Sequence, residues 1–138
     1  MALEAWDKLV GAVRSLTTPS DTQPVDLRRG LSIGFKPISV LNSGGNVIVA
    51  ADATRKIKVL EYVLVSEGTC AVTWRSHINP GTDLTGPMPL IVNTGVAAGG
   101  GNAPGSHWEF ETNVNEDLVL VLSVQCGVRG HMTYFLEP

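Results

Sequence analysis

Residues 118–128 read LVLVLSVQCGV, and this stretch is the clearest β-strand signal in the chain. Every second position is apolar and would lie on one face of an extended strand: Leu118, Leu120, Leu122, Val124, Cys126 and Val128. Because successive side chains of a strand point to opposite faces, such a face can close over a hydrophobic core. Residues 127–130 then contain two glycines that can turn the chain into 131–135. The pattern predicts a central hairpin of the core.

The same period of two continues back to about residue 31, in short runs separated by Gly, Pro, Asn and Asp. Such runs are typical of an all-β sandwich or barrel. We predict about eight strands, at residues 31–35, 38–42, 46–51, 56–66, 69–76, 88–93, 107–112 with 117–126, and 131–136. Residues 42–46 and 67–68 have turn chemistry and predict two further hairpins. Within 57–65, Lys58 and Glu61 break the alternation, which predicts a bulge or burial on both sides.

The first 29 residues have a different pattern. Apolar side chains recur there at helical spacing, at Leu3, Trp6, Val10, Val13 and Leu16. This spacing predicts a short amphipathic helix, and a linker with two prolines follows it. We therefore predict an N-terminal arm or helix with its linker over residues 1–29 and a β-sandwich domain over 30–138. The five apolar residues are candidate contacts, either with the chain's own sandwich or, as an arm, with a neighbouring subunit or a capsid.

The composition is that of a globular chain. Of its 138 residues 43% are hydrophobic and 17% are charged, and the formal net charge is −3. A chain without a basic excess is not expected to bind nucleic acid. We expect no membrane partner, since no apolar run approaches the length of a spanning helix, and we expect synthesis in the cytoplasm without export.

The sequence contains two cysteines, Cys70 and Cys126. Each lies on the apolar side of a predicted strand, and their spacing is not that of a metal knuckle. Cysteine often serves as a small core residue, so buried free thiols are favoured over a bridge, although a bridge stays open.

The longest irregular segment, residues 93–106, is rich in glycine and predicts a flexible surface loop. The residues Gly99, Gly100, Gly101 and Asn102 at its centre are candidate surface contacts. A phosphate-binding loop would need a nearby Lys and Ser or Thr and a following helix, and neither is present.

No residue pattern indicates catalysis, a metal site or a cofactor. The three histidines include no His-x-His pair of the kind that cupin-type metal sites use. His107, Glu109 and Glu111 follow strand spacing and would share one solvated face. The two glutamates would be the first candidates for a glycosidase pair, but the chain is predicted not to be an enzyme.

Residues from about 31 to 138 resemble a family of small tailed-bacteriophage virion proteins, the head-decoration or cement proteins. The resemblance rests on residues 46–51 (NVIVAA), 56–60 (KIKVL), 84–90 (LTGPMPL), Trp108 with 110–112 (FET), and 130–134 (GHMTY). It implies a jelly-roll β-sandwich, so the fold class predicted is an all-β, jelly-roll-like antiparallel sandwich. The first 30 residues are not covered by it.

The resemblance also implies a function. Proteins of this family form homotrimers on the outer surface of the head, where they bind the major capsid protein and hold neighbouring capsomers together. We therefore expect a capsid decoration protein located on the virion. Related modules occur in tails, baseplates and fibres, so a module that binds a host glycan or another virion protein is the alternative. A small cupin-like or carbohydrate-active enzyme is the alternative of another class.

Overall fold

A computed structural model describes residues 32–102 and 107–138 of the chain. These residues form ten β-strands and no helix. The strands are β1 (Ser32–Val40), β2 (Gly44–Val49), β3 (Lys56–Ser66), β4 (Cys70–Ser76), β5 (Thr82–Asp83), β6 (Met88–Leu90), β7 (Gly95–Ala98), β8 (Phe110–Glu111), β9 (Leu118–Leu122) and β10 (Val128–Glu137). The predicted all-β fold class is confirmed.

The strands form two antiparallel sheets. Sheet A has the order β1–β10–β3, and the second edge of β3 is shared by β7 and β8. Sheet B has the order β2–β9–β4, and the second edge of β4 is shared by β5 and β6. Apolar side chains from both sheets form one buried cluster, so the architecture is a β-sandwich.

Aromatic rings lie at the centre of this cluster. Trp74 of β4 is fully buried, and its ring centroid lies 5.4 Å from that of Tyr62 and 5.7 Å from that of Phe110. The other fully buried core side chains include Ile57, Val59, Leu64, Val72, Leu118, Leu120, Val128 and Met132. Because Trp74 and Val72 come from sheet B and Tyr62 from sheet A, the cluster joins the two layers.

The irregularity predicted within residues 57–65 is present as a β-bulge. Against β10, Glu61 pairs with Thr133 and Val59 pairs with Tyr134, which leaves Leu60 as an extra residue in β3. Residues 57–60 are all buried, so burial on both sides accompanies the bulge. The bulge shifts the alternation by one residue, which is why Lys58 and Glu61 can both lie on the outer face of sheet A.

The predicted hairpin after residue 118 is wrong. β9 ends at Leu122, Val124 is exposed, and β10 has already begun at Val128. Gly130 lies inside β10 and not in a turn. A Cβ atom at this position would overlap the carbonyl oxygen of Val63, so the strand needs glycine here. Because β9 belongs to sheet B and β10 to sheet A, the intervening segment crosses between sheets.

The hairpins predicted at residues 42–46 and 67–68 are wrong for the same reason. The chain does turn at both places, but β1 and β3 belong to sheet A whereas β2 and β4 belong to sheet B. Turn residues specify a reversal of the chain and leave open which strand the reversed segment pairs with.

Several strand boundaries also differ from the prediction. Residues 31–35 and 38–42 were expected as two strands, but β1 runs without a break through Pro37. Proline is tolerated there because, among the described residues, β1 pairs only with β10. The strand predicted at 88–93 ends at Leu90. The strand predicted at 107–112 with 117–126 is divided into two strands, β8 and β9. Two short strands, β5 and β7, were not predicted.

Candidate binding surface at the loop end

Four connections that cross between the sheets lie at the same end of the sandwich. They join β1 to β2 (residues 41–43), β3 to β4 (67–69), β6 to β7 (91–94) and β9 to β10 (123–127). Backbone hydrogen bonds link three of them in series, since the N–H of Cys126 donates to the carbonyl of Leu41 (3.0 Å) and the N–H of Glu67 donates to that of Gly127 (2.8 Å). We call this end of the sandwich, with residues 65–66 of β3, the loop end.

Ser66 ties the fourth connection to the others. Its N–H donates to the carbonyl of Thr94 and its carbonyl accepts from the N–H of Asn93, each over 2.8 Å. The paired backbone groups hold the four connections in one arrangement, because an unpaired backbone polar group is costly where water is excluded.

Several exposed apolar side chains are grouped at the loop end. Five large aliphatic side chains there are between 45% and 60% exposed: Leu41, Val65, Ile91, Val92 and Val124. An exposed Glu67–Arg129 ion pair accompanies them and adds no net charge. Single exposed apolar residues are normal, but a group of them on one surface indicates an interaction site.

This surface was not evident from the sequence, because the alternating pattern extends the strands over most of its residues. Leu41, Ile91 and Val124 were assigned to strands at 38–42, 88–93 and 117–126, and all three lie beyond the ends of the actual strands. No local signal separates Val124 from the core face, because Ser123 and Gln125 alternate with it as the solvated side of a strand would.

The opposite end of the sandwich, where β1 begins and β10 ends, is charged. Its bonded side chains are Asp52 with Arg55, Lys56 and Lys58 with Glu111, Lys58 with Glu137, His77 with Asp117, and Ser76 and Asn113 with Glu116. Exposed apolar residues such as Val114 occur here too, but they are dispersed among these charges. The contrast between the two ends makes the loop end the better candidate for adhesion.

Of the two glutamates considered as a glycosidase pair, Glu111 is paired with Lys58 and Glu109 is not. The buried ammonium group of Lys58 lies 3.4 Å from Glu111, 2.8 Å from Glu137 and 3.7 Å from the ring centroid of Trp108. These contacts compensate the charge of a buried lysine. Glu109 instead accepts a hydrogen bond from the side chain of Asn102 (3.0 Å). Both carboxylates therefore have partners within the fold.

The predicted contact residues of the glycine-rich loop lie beside the bulge of β3, away from the loop end. Asn102 Nδ2 donates to the carbonyl of Leu60 (2.7 Å). Gly99 has a φ of +114°, and a Cβ atom there would lie 2.6 Å from the same carbonyl oxygen, so only glycine fits. Gly100 and Gly101 have open space around them. A capsid or subunit contact by these residues stays a prediction.

The other predicted contact residues lie outside the described part of the chain: Leu3, Trp6, Val10, Val13 and Leu16. The same holds for the arm or helix over residues 1–29 to which they belong. Their contact with a capsid or a neighbouring subunit stays a prediction.

Sheet A carries a second exposed apolar surface on its outer face. Ile33 and Phe35 of β1 are each 63% exposed, and the ring of Phe35 stacks on that of His131 with a centroid distance of 5.6 Å. His131 of β10 pairs with Val63 of β3, which in turn pairs with Ala97 of β7. Val63 and Ala97 therefore continue this face across the sheet. We call Ile33 and Phe35 the face patch.

At the charged end, the side chain of Arg55 donates to Asp52 (2.9 Å) and, with the N–H of Thr54, lowers the pKa of that carboxyl from 3.8 to about 2. A lowered pKa in the folded state means that the carboxylate stabilises the fold above its unfolded pKa, and that this contribution is lost as the pH falls towards 2. We expect an NMR titration of Asp52 to show a midpoint near 2. Arg55→Met should move the midpoint up towards 3.8.

The control for this prediction is Lys56→Met. It removes a neighbouring cation whose ion pair is with Glu111, so the midpoint of Asp52 should stay near 2. An equal rise in both variants would show that general charge, and not the Arg55 hydrogen bond, lowers the pKa.

Among residues 32–102 and 107–138 no group of three or more His, Cys, Asp or Glu side chains is placed to hold a metal ion. The part of the chain that the structure describes also contains no helix that could cross a membrane. No protein-family model matches the sequence, and no curated protein matches it either.

Proposed function

We propose that the chain is a structural protein of a tailed-phage virion that binds the outer surface of the head and stabilises contacts between capsomers. The observation that carries the proposal is the apolar loop end. A protein that works by adhesion needs an exposed apolar surface held in one shape, and it needs no active site. The resemblance of residues 31–138 to head-decoration proteins supplies the partner, which is the major capsid protein.

The construction of the loop end suits adhesion. Its connections are hydrogen-bonded to one another through Leu41, Glu67, Ser66 and their partners, so little conformational freedom is left to lose on binding. Surfaces that are ordered before they bind lose less entropy on association, and burial of apolar area supplies the favourable free energy.

The strand order supports the jelly roll that the resemblance implies. With the shortest strands left aside, sheet A reads β1–β10–β3–β7 and sheet B reads β2–β9–β4–β6. The chain passes from one sheet to the other six times, between β1 and β2, β2 and β3, β3 and β4, β6 and β7, β8 and β9, and β9 and β10. We infer that these crossings form the two Greek keys of a jelly roll.

The face patch supports the homotrimer that the resemblance implies, because it is an apolar surface towards the other end of sheet A from the loop end. Ile33 and Phe35 lie in the first half of β1, whereas Leu41 of the loop end follows the last residue of that strand. One surface can therefore contact other copies of the chain while the other contacts the capsid. A trimer presents the same loop end several times, which raises avidity without tight single contacts.

A tail, baseplate or fibre module that binds a glycan is the second proposal. It is favoured by Trp108, whose partly exposed ring is held by Lys58 on the outer side of sheet A. Aromatic rings in such positions can stack on the apolar faces of sugars.

The test is to mix the purified full-length chain with phage heads that lack it and to sediment the mixture. We expect the chain to sediment with the heads in a fixed ratio to the major capsid protein and to raise the temperature at which they release DNA. A chain that stays in the supernatant over the full range of concentrations would overturn the proposal. Binding to tails or host cells instead of heads would favour the second proposal.

A further inference from the structure

The two cysteines are adjacent in the interior, directly beneath the loop end. Cys70 begins β4, Cys126 lies in the connection between β9 and β10, and both thiols are buried and free. The hydroxyl oxygen of Ser66 lies 3.6 Å from the sulfur of Cys70 and 3.2 Å from that of Cys126. Both sulfurs therefore contact one side chain, although 55 residues separate them in sequence.

The surroundings of Cys70 favour the protonated thiol. Burial raises the pKa of the Cys70 thiol most, a hydrogen bond with Cys126 raises it further, and the hydroxyl of Ser66 acts in the opposite direction. The Cys126 thiol is within 3.8 Å of the carbonyl of Gly127, to which it can donate. Both thiols are buried beside the same serine hydroxyl, so the site is closed to large reagents.

The segment that precedes each cysteine is exposed to solvent, which gives the buried thiols a route to the surface. Residues 123–125 before Cys126 are exposed, and so are Glu67 and Thr69 before Cys70. A local opening of the 123–127 connection would bring the sulfur of Cys126 to the surface without unfolding either sheet, because the segment lies between β9 and β10 and belongs to neither.

We propose that Cys70 and Cys126 form an intramolecular disulfide when the chain meets a small-molecule disulfide such as oxidised glutathione. The thiolate of Cys126 attacks one glutathione sulfur, which forms a mixed disulfide and releases one glutathione thiol. The thiolate of Cys70 then attacks the Cys126 sulfur and releases the second glutathione. Two protein thiols are oxidised, one glutathione disulfide is reduced to two thiols, and two protons pass from the cysteines to the released thiolates.

This bond would link the start of β4 in sheet B to the connection that leads into β10 of sheet A. It would close a long loop of the unfolded chain, which lowers the entropy of the unfolded state. The hydrogen bond from Cys126 N–H to Leu41 joins the same position to the β1–β2 connection, so the bond would also secure the base of the loop end.

The test uses the reduced full-length chain, incubated with oxidised glutathione and then alkylated under denaturing conditions. We expect an intact mass lower by two hydrogens, no alkylated cysteine, and a peptide that links residues 70 and 126. The midpoint of thermal unfolding should rise by about 5–10 °C and return on addition of dithiothreitol.

Cys70→Ser is the matched variant. Without the second thiol, the reaction should stop at a mixed disulfide of glutathione with Cys126, which intact mass detects whether or not the stability of the variant changes. Any of three results would overturn the proposal. They are a lasting glutathione adduct on the native chain, a disulfide-linked dimer, and two thiols that remain free for alkylation after prolonged incubation with oxidised glutathione.

Discussion

On the proposed function, replacing both Ile91 and Val92 with aspartate is expected to weaken binding of the chain to phage heads by on the order of a hundredfold or more. Both side chains are exposed in the β6–β7 connection, so the substitutions should leave the core intact. On binding, each carboxylate would be transferred from water into an apolar contact without a partner, which is strongly unfavourable. The measurement is sedimentation with heads over a series of chain concentrations, with thermal unfolding of the free variant as a check of folding.

The matched control places the same two charges elsewhere. Val47 and Val114 are similarly exposed and lie on the outer face of sheet B and at the charged end, so V47D/V114D should bind heads with nearly the affinity of the native chain. An equal loss in both double variants would show that net charge weakens binding. No loss in I91D/V92D would remove the loop end from the interface.

Truncating Trp74 to alanine is expected to lower the free energy of unfolding by about 3–5 kcal/mol. The side chain is fully buried between the sheets, and its ring contacts those of Tyr62 and Phe110. Removing it deletes a large apolar surface and leaves a cavity that two sheets held by their own hydrogen bonds cannot fill. Because domains of this size are stable by only about 5–15 kcal/mol, the variant should be close to unfolding.

Urea unfolding followed by circular dichroism measures this loss, with the midpoint shifted and the slope unchanged. Trp74→Phe is the control: it keeps an aromatic ring in contact with Tyr62 and Phe110, so its loss should be well under half of that for Trp74→Ala. A loss below about 1 kcal/mol for the alanine variant would contradict the central position of Trp74 in the core.

The exposed residues of both ends of the molecule lie mostly in connections between strands. Two of the six crossings between the sheets, β2–β3 and β8–β9, lie at the charged end, and the other four lie at the loop end, where their residues leave the sheets together. Alternation is no longer required there, and Leu41, Ile91 and Val124 are free to face solvent. At the other end the side chains of Asp52, Arg55 and their neighbours bond to one another.

The all-β class and most of the core could be predicted from the sequence alone. Alternation of apolar and polar residues over two or three positions is a local property, and it correctly placed Leu118, Leu120 and Leu122 on a buried face and marked the break at Lys58 and Glu61. The tertiary structure alone decided which strands pair. Turn residues reverse the chain equally well within a sheet and between two sheets, and the choice depends on contacts between distant residues, such as Val72 with Leu122. For the same reason only the folded chain shows that five exposed apolar residues from separate segments lie at one end of the sandwich, and that Cys70 and Cys126 share one hydroxyl group.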